Sequence, residues 1–293
     1  MTSISQDRPN TLNRENTLQQ IMTTVLPKRW YAHLVLLIAC FFIGFPLFYA
    51  ILVSTQSNSE VFRYQFSPGN SFWENWDSVI EVRQLQNYMV NSAVMAVAIT
   101  IGKTILSLLA GLAFVYFRFP GKWLVFGFIL ITLMMPTEVL IIALFRFVNQ
   151  LGWADSYTAL IVPFLASATG TFLFRQHFAN IPAELSEAAQ LDGANPLQFL
   201  MRVLVPISWN TIGALAVVQF IYAWNMYLWP SMIITSQSLD VVQVGIASVS
   251  GGDTSIEYGP VMLAAVIASI PPLIVFLALQ KQFMSGFAVS RDK

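Results

Sequence analysis

Six stretches of this chain are each long and apolar enough to cross a lipid bilayer, at about 33–54, 90–117, 123–145, 157–177, 209–234 and 260–282. A hydrocarbon core about 30 Å thick takes roughly 20 apolar residues of helix. Inside lipid every backbone N–H and C=O must find a partner within the protein, which a helix supplies from its own backbone. The sequence therefore predicts an all-α polytopic membrane protein with six transmembrane helices. Composition agrees, at 56% hydrophobic and only 10% charged, where soluble domains carry about 25% charged residues. A net charge of zero gives no electrostatic case for binding nucleic acid. Cys40 stands alone, so no intrachain disulfide can form, and His33 and His177 are too few and too separated for a histidine metal site.

Prolines 46, 136, 163, 230, 271 and 272 interrupt these runs. Membrane helices tolerate them when neighbours re-satisfy the freed carbonyls. Residues 1–30 are polar and lack a signal-peptide pattern, so the chain reads as a cytoplasmic tail leading into the first span. With the amino terminus inside, the inner segments hold eleven Lys and Arg residues and the outer segments three, with Lys103 inside a span. The positive-inside rule then places both termini in the cytoplasm. The expected organisation is a tail at 1–32, a transmembrane domain at 33–283 with a cytoplasmic segment at 184–206, and a short cytoplasmic tail at 284–293. The outer loops are a long one at about 55–89, carrying Trp73, Trp76 and Tyr88, and a polar one at about 235–259.

The cytoplasmic segment is polar and interrupted, and its residue order specifies a helix-turn-helix. Ala183 to Leu191 is rich in helix formers. Asp192-Gly193 stops that helix, because glycine readily takes the left-handed cap conformation. Asn195 then serves as N-cap and Pro196 as first residue of a second helix. Leu197, Leu200, Met201 and Leu204 recur at helical spacing as one apolar stripe, and Pro206 ends the element. Ala188 and Ala189 give the first helix a small-residue surface suited to a partner's groove. An ordinary loop packing under its own bundle is the competing reading.

Polar groups also stand inside the spans. Lys103 lies near the middle of the second, where a lysine costs roughly 2.5–3.5 kcal/mol on insertion scales and must face the bundle or a cavity. Glu138 in the third span lies within partial reach, so either an ion pair between the two or a contact with a passing anionic or polyol solute fits. Tyr222, Asn225 and Trp229 share one face of the fifth span, with Trp224 and Tyr227 beside it. Aromatics with polar tips suit sugars and polyols, and equally suit helix packing. Gly102-Lys103-Thr104 mimics the end of a P-loop, but Val97 stands where its first glycine belongs and the segment is a span, so it cannot cradle a nucleotide.

Glu187-Ala188-Ala189, Asp192-Gly193-Ala194, Asn195, Pro196, Phe199, Val203 and Pro206, placed before the fifth span, resemble the signature loop of the membrane subunits of bacterial ABC importers. Phe172 to Gln176, Ile181-Pro182, Arg118-Phe119-Pro120 and Tyr222 to Pro230 extend the likeness over most of the chain from about residue 33. It is most similar to the second permease subunit of glycerol-3-phosphate importers, within the carbohydrate-type, binding-protein-dependent group. The resemblance implies a non-catalytic permease of the bacterial inner membrane. It further implies a homologous second permease subunit, two ATPase subunits that hold ATP and Mg, and an extracytoplasmic substrate-binding protein. This chain would bind no cofactor itself. The signature loop would be the helix that couples ATP hydrolysis to the spans, and the solute would be glycerol-3-phosphate, or a neutral sugar such as a disaccharide or glucosylglycerol.

Two other classes compete. A membrane enzyme would need convergent acid, base or metal-binding residues at one depth, which only Lys103 and Glu138 approach. A secondary transporter would leave the 187–206 segment without a role.

Overall fold

The computed structural model describes residues 30–250 and 256–286, with the side chains of 137, 138, 249 and 250 left aside. Most of the expected tails at 1–32 and 284–293 lies outside the described residues, as do 251–255 of the outer loop and the Glu138 side chain. Among the described residues the structure is helical, without a strand. The chain divides into two compact units, one ending at Ile51 and the other beginning at Leu52.

Helix α1, Trp30–Val53, is apolar throughout and contains Pro46. Within the first unit it carries an aromatic ladder, with Phe41 6.0 Å from Phe45 and Phe45 6.2 Å from Tyr49 between ring centroids.

The second unit is built around α2, Leu85–Tyr116. Its inward face runs Leu85, Tyr88, Ser92, Met95, Ile99, Lys103, Ser107, Gly111, one helical stripe of small and polar residues as well as apolar ones. Val90, Val94, Val97, Ile101 and Ile105 on the other face are exposed and apolar, as a surface bathed in lipid requires. Both faces are apolar, so the inner one is marked by small and polar side chains, which let membrane helices approach and bond.

Around α2 follow α3 (Lys122–Leu133), α4 (Thr137–Gln150), α5 (Tyr157–Ile161), α6 (Ala168–Ala179), α7 (Ala183–Leu191), α8 (Pro196–Phe199), α9 (Trp209–Trp224), α10 (Leu228–Ile233), α11 (Val242–Ser250) and α12 (Tyr258–Gly286). Helices α2, α6, α9 and α12 make the main packed contacts. At Gly170 of α6 an added Cβ would collide with Ser107 of α2, so glycine there sets how closely the two helices meet.

Several of the six apolar runs are bent or broken near their prolines, and up to five spans are counted if each bent pair is one. Among the described residues three helices are long and apolar enough to cross a membrane, namely α1, α2 and α12. The fourth run is bent by 40° between its parts at 157–164 and 168–179. The third run breaks into α3 and α4 around Pro136, which lacks an N–H and clashes with the preceding turn. The fifth breaks after α9 at Asn225–Tyr227 before α10 begins.

One end of the second unit gathers the segments at 54–84, 151–156, 234–241 and 256–257. There Asn75 Nδ2 donates to the carbonyls of Ser54 and Gln56 at 2.9 and 3.0 Å, and Arg83 pairs with Glu257 at 2.7 Å. The opposite end carries the 117–121 turn and the 180–207 segment.

Candidate functional site

The 180–207 segment forms the helix-turn-helix and the central caps that its residue order specifies, but Pro206 does not end it, since the helical run continues through Val205–Ile207. Gly193 takes φ +72°. The N–H of Ala194 reaches the carbonyl of Ala189 at 2.9 Å and that of Gly193 reaches Gln190 at 3.0 Å, the paired bonds of a glycine-terminated helix. Asn195 caps α8. Its Oδ1 accepts the Gln198 N–H at 2.8 Å, and Gln198 Oε1 accepts the Asn195 N–H at 2.9 Å, with Pro196 in the first position.

The apolar stripe is split. Leu200 and Leu204 are buried in a cluster with Leu108, Leu112, Phe174, Phe178, Phe199 and Leu215, whereas Leu197 and Met201 are each 59% exposed. A π-helical turn spans Leu200–Leu204. Each pair, four residues apart, keeps a common face, and the two faces point to opposite environments. Phe199 also points inward, packing edge-on against Tyr116 at 5.1 Å, and is an anchor to the bundle rather than an outward contact. The small-residue face divides too, with Ala188 exposed and Ala189 packed against the cluster. Glu187, Asp192, Gly193, Asn195, Pro196 and Pro206 are exposed and Ala194 is half-buried. Leu191, 89% exposed, adds a large apolar side chain to this surface.

Two cavities lie along α9. The first, about 310 Å³, is lined by Tyr222, Asn225, Tyr227 and Trp229 together with Ile141 and Phe164 among others. Asn225 and Tyr227 flank the break between α9 and α10, and Asn225 Oδ1 accepts from Gln243 at 3.1 Å. The second, about 380 Å³, is lined by Lys103, Gln219 and Tyr222 and by Ser167 to Thr169 at the start of α6. Tyr222 borders both, so the two sit side by side as a track along α9. Trp224 lines neither cavity. It is buried, and its indole donates to the Ala268 carbonyl at 3.1 Å, because the residue lies on the side of α9 that meets α12. Gln219 was not singled out by sequence reasoning. Its signal was the one that marked Lys103, a polar side chain deep in an apolar run.

The loop end is held by polar bonds from α2. Asn91 Nδ2 donates to the carbonyls of Ser238 and Asp240 at 2.9 Å each, and its Oδ1 accepts from the Tyr157 hydroxyl at 2.6 Å. Asp155 joins two loops. Its carboxylate accepts the backbone N–H groups of Thr235 at 3.0 Å and Ser236 at 2.9 Å, and the Ser236 hydroxyl. The Ser236 hydroxyl and these N–H groups hold its pKa down to about 2. Burial, and then the charge of Asp155, push the Asp240 carboxyl up.

An α-helical membrane protein with a capped, exposed helix-turn-helix at one end and cavities along α9 has parts that suit a transport component. Residues 103–288 match the family described as binding-protein-dependent transport system inner membrane component. The chain is 39% identical to the sn-glycerol-3-phosphate transport system permease protein UgpE of Pectobacterium atrosepticum, over 89% of this chain and 96% of that one. It is 38% identical to the protein of that name in Brucella melitensis, over 87% and 94%. In fold it resembles a chain of a bacterial ABC transporter involved in import of the acidic polysaccharide alginate, with TM-score 0.76 and 20% identity over 96% of this chain and 100% of that one. This chain therefore belongs to the family of inner membrane components of binding-protein-dependent transport systems.

Proposed function

We propose that this chain is one of two permease subunits of an ATP-driven importer for sn-glycerol 3-phosphate or a related sugar or polyol. The observation that carries the reading is the pre-formed helix-turn-helix at 183–207. It is rigidly capped and anchored inward by Phe199, Leu200 and Leu204, yet it presents Leu191, Leu197 and Met201 outward. Burying an exposed leucine or methionine gains about 1.5–3 kcal/mol, so this surface suits a protein partner. An ATPase subunit is the partner whose motion the importer needs transmitted. ATP and Mg belong to two such subunits.

Both termini then face the cytoplasm, and the loop end built on Asn75, Asn91 and Asp155 faces the extracytoplasmic binding protein. A homologous permease chain completes the pathway. ATP binding closes the ATPases, the docked helices carry that motion into the spans, and access to the track beside α9 switches sides; hydrolysis resets it. Energetic coupling requires such a two-state element biased from both ends. The solute follows from the relatives' name and from the polar and aromatic lining of the track.

The test is uptake of radiolabelled sn-glycerol 3-phosphate by proteoliposomes holding the whole complex, with ATP on the ATPase side and the binding protein opposite. ATP-dependent accumulation is expected. Uptake that needs an ion gradient and not ATP contradicts the proposal.

A further inference from the structure

The cavity of about 380 Å³ beside α9 gathers three groups able to donate to an anion. Lys103 is 9% exposed, and among the described residues its ammonium makes no ion pair; its one charge-related contact is the Tyr222 ring, 4.6 Å from Nζ to the centroid. Gln219 is 5% exposed, and both its amide nitrogen and its amide oxygen are buried without a hydrogen-bond partner. Buried amides in proteins are almost always bonded, so an open one calls for a partner such as a solute or a water in the cavity it faces.

The third contribution is the start of α6. Ser167 caps this twelve-residue helix, its Oγ accepting the Gly170 N–H at 3.0 Å. The first helical N–H groups belong to Ala168 and Thr169, which line the cavity. Such groups have no partner within the helix, and the helix dipole makes that end positive. An ammonium, a helix amino end and an open amide donor thus converge on one space. Together they form an anion-binding arrangement, and among the described lining residues no carboxylate offsets it.

Lys103 lies near the middle of α2, which spans the membrane. At that depth in a core about 30 Å thick a lipid headgroup is out of reach, so the anion arrives through the pathway. We infer that the cavity formed by Lys103, Gln219 and the amino end of α6 binds the phosphate or other anionic group of the transported solute. This rests on the importer reading above and adds to it the group recognised and the residues that recognise it. Tyr222, shared by both cavities, places the rest of the solute toward Asn225 and Tyr227.

The test uses the assembled transporter, with inorganic phosphate as the probe in one arm and sn-glycerol 3-phosphate in the other. Phosphate is expected to raise the melting temperature of the wild-type complex by more than that of the Lys103→Met complex, which carries the same ATPase subunits. Without phosphate the Lys103→Met complex is expected to melt no lower than wild type, because an unpaired buried charge is itself unfavourable. In proteoliposomes Lys103→Met should lower kcat/KM for sn-glycerol 3-phosphate by about ten- to a hundredfold, the worth of a charge-assisted hydrogen bond, and Lys103→Arg should restore most of it.

Equal phosphate shifts in wild type and Lys103→Met overturn the inference. So does recovery of transport in Lys103→Met with Glu138→Gln, which would make Lys103 only the partner of Glu138. A Lys103-dependent phosphate shift in a complex that does not import sn-glycerol 3-phosphate supports the site and refutes the solute.

Discussion

The indole N–H of Trp224 donates to the backbone carbonyl of Ala268 at 3.1 Å, and Ala268 lies four residues before Pro272 in α12. Proline has no N–H, so that carbonyl has lost its partner within the helix. Trp229 repeats the arrangement, its indole donating at 3.0 Å to Ala159, four residues before Pro163. Each tryptophan closes a gap that a proline opened, as a low-dielectric surrounding requires. The two flank the Asn225–Tyr227 break and tie it to two different elements.

Trp224→Phe should therefore destabilise the complex by about 1–3 kcal/mol, the cost of a buried carbonyl left unpaired. In a Pro272→Ala background the restored N–H takes that carbonyl, and the same substitution should cost less by at least about 0.5 kcal/mol. Thermal melts of the four purified complexes measure the difference. Equal costs in both backgrounds would remove the link between indole and proline.

Gly193 sits at φ +72° with no neighbouring atom within 4 Å of an added Cβ, so its requirement is conformational and not spatial. A β-branched residue held there is strained by about 1–3 kcal/mol, whereas asparagine tolerates the left-handed region. Gly193→Val should cut ATP-dependent uptake at least tenfold while the chain still assembles with its permease partner, and Gly193→Asn should retain most uptake. Equal loss in both variants would point to a role for the missing side chain itself.

Asp155 supplies a pH dependence whose sign is fixed. Its folded pKa, about 2, lies below the ordinary aspartate value of 3.8. The stability it contributes is full above about pH 4 and is lost as the pH falls through 2. Asp155→Asn should lower the melting temperature at pH 7 and flatten its decline between pH 4 and pH 2. Removing the Asp155 charge also removes one of the two influences that raise Asp240. Melts across that range check this, and parallel wild-type and variant curves would contradict it.

Much of this was legible in the residues. The apolar runs placed the helices, and Gly193, Asn195 and Pro196 announced their caps, because capping depends on local chemistry. What failed depended on register or on neighbours. Leu197, Leu200, Met201 and Leu204 read as one stripe, yet Leu200 and Leu204 turn to the bundle while Leu197 and Met201 stay exposed, a division that only the neighbouring helices decide. Trp224 read as a pathway residue because its indole is amphipathic; its burial comes from the packing of α9 on α12, and its bond from the carbonyl that Pro272 leaves open. Lys103 stood out alone, while Gln219 and the amino end of α6 join it only through packing.

The central claim is that the 183–207 helix-turn-helix docks an ATPase subunit. Affinity purification of the tagged chain from its native membrane, with co-purifying chains identified by mass spectrometry, tests it most directly. The wild-type chain should bring down a second permease chain and an ATPase. Leu197→Asp combined with Met201→Asp should keep the permease chain and lose the ATPase. A chain that purifies alone, or a double variant that keeps its ATPase, would contradict the account.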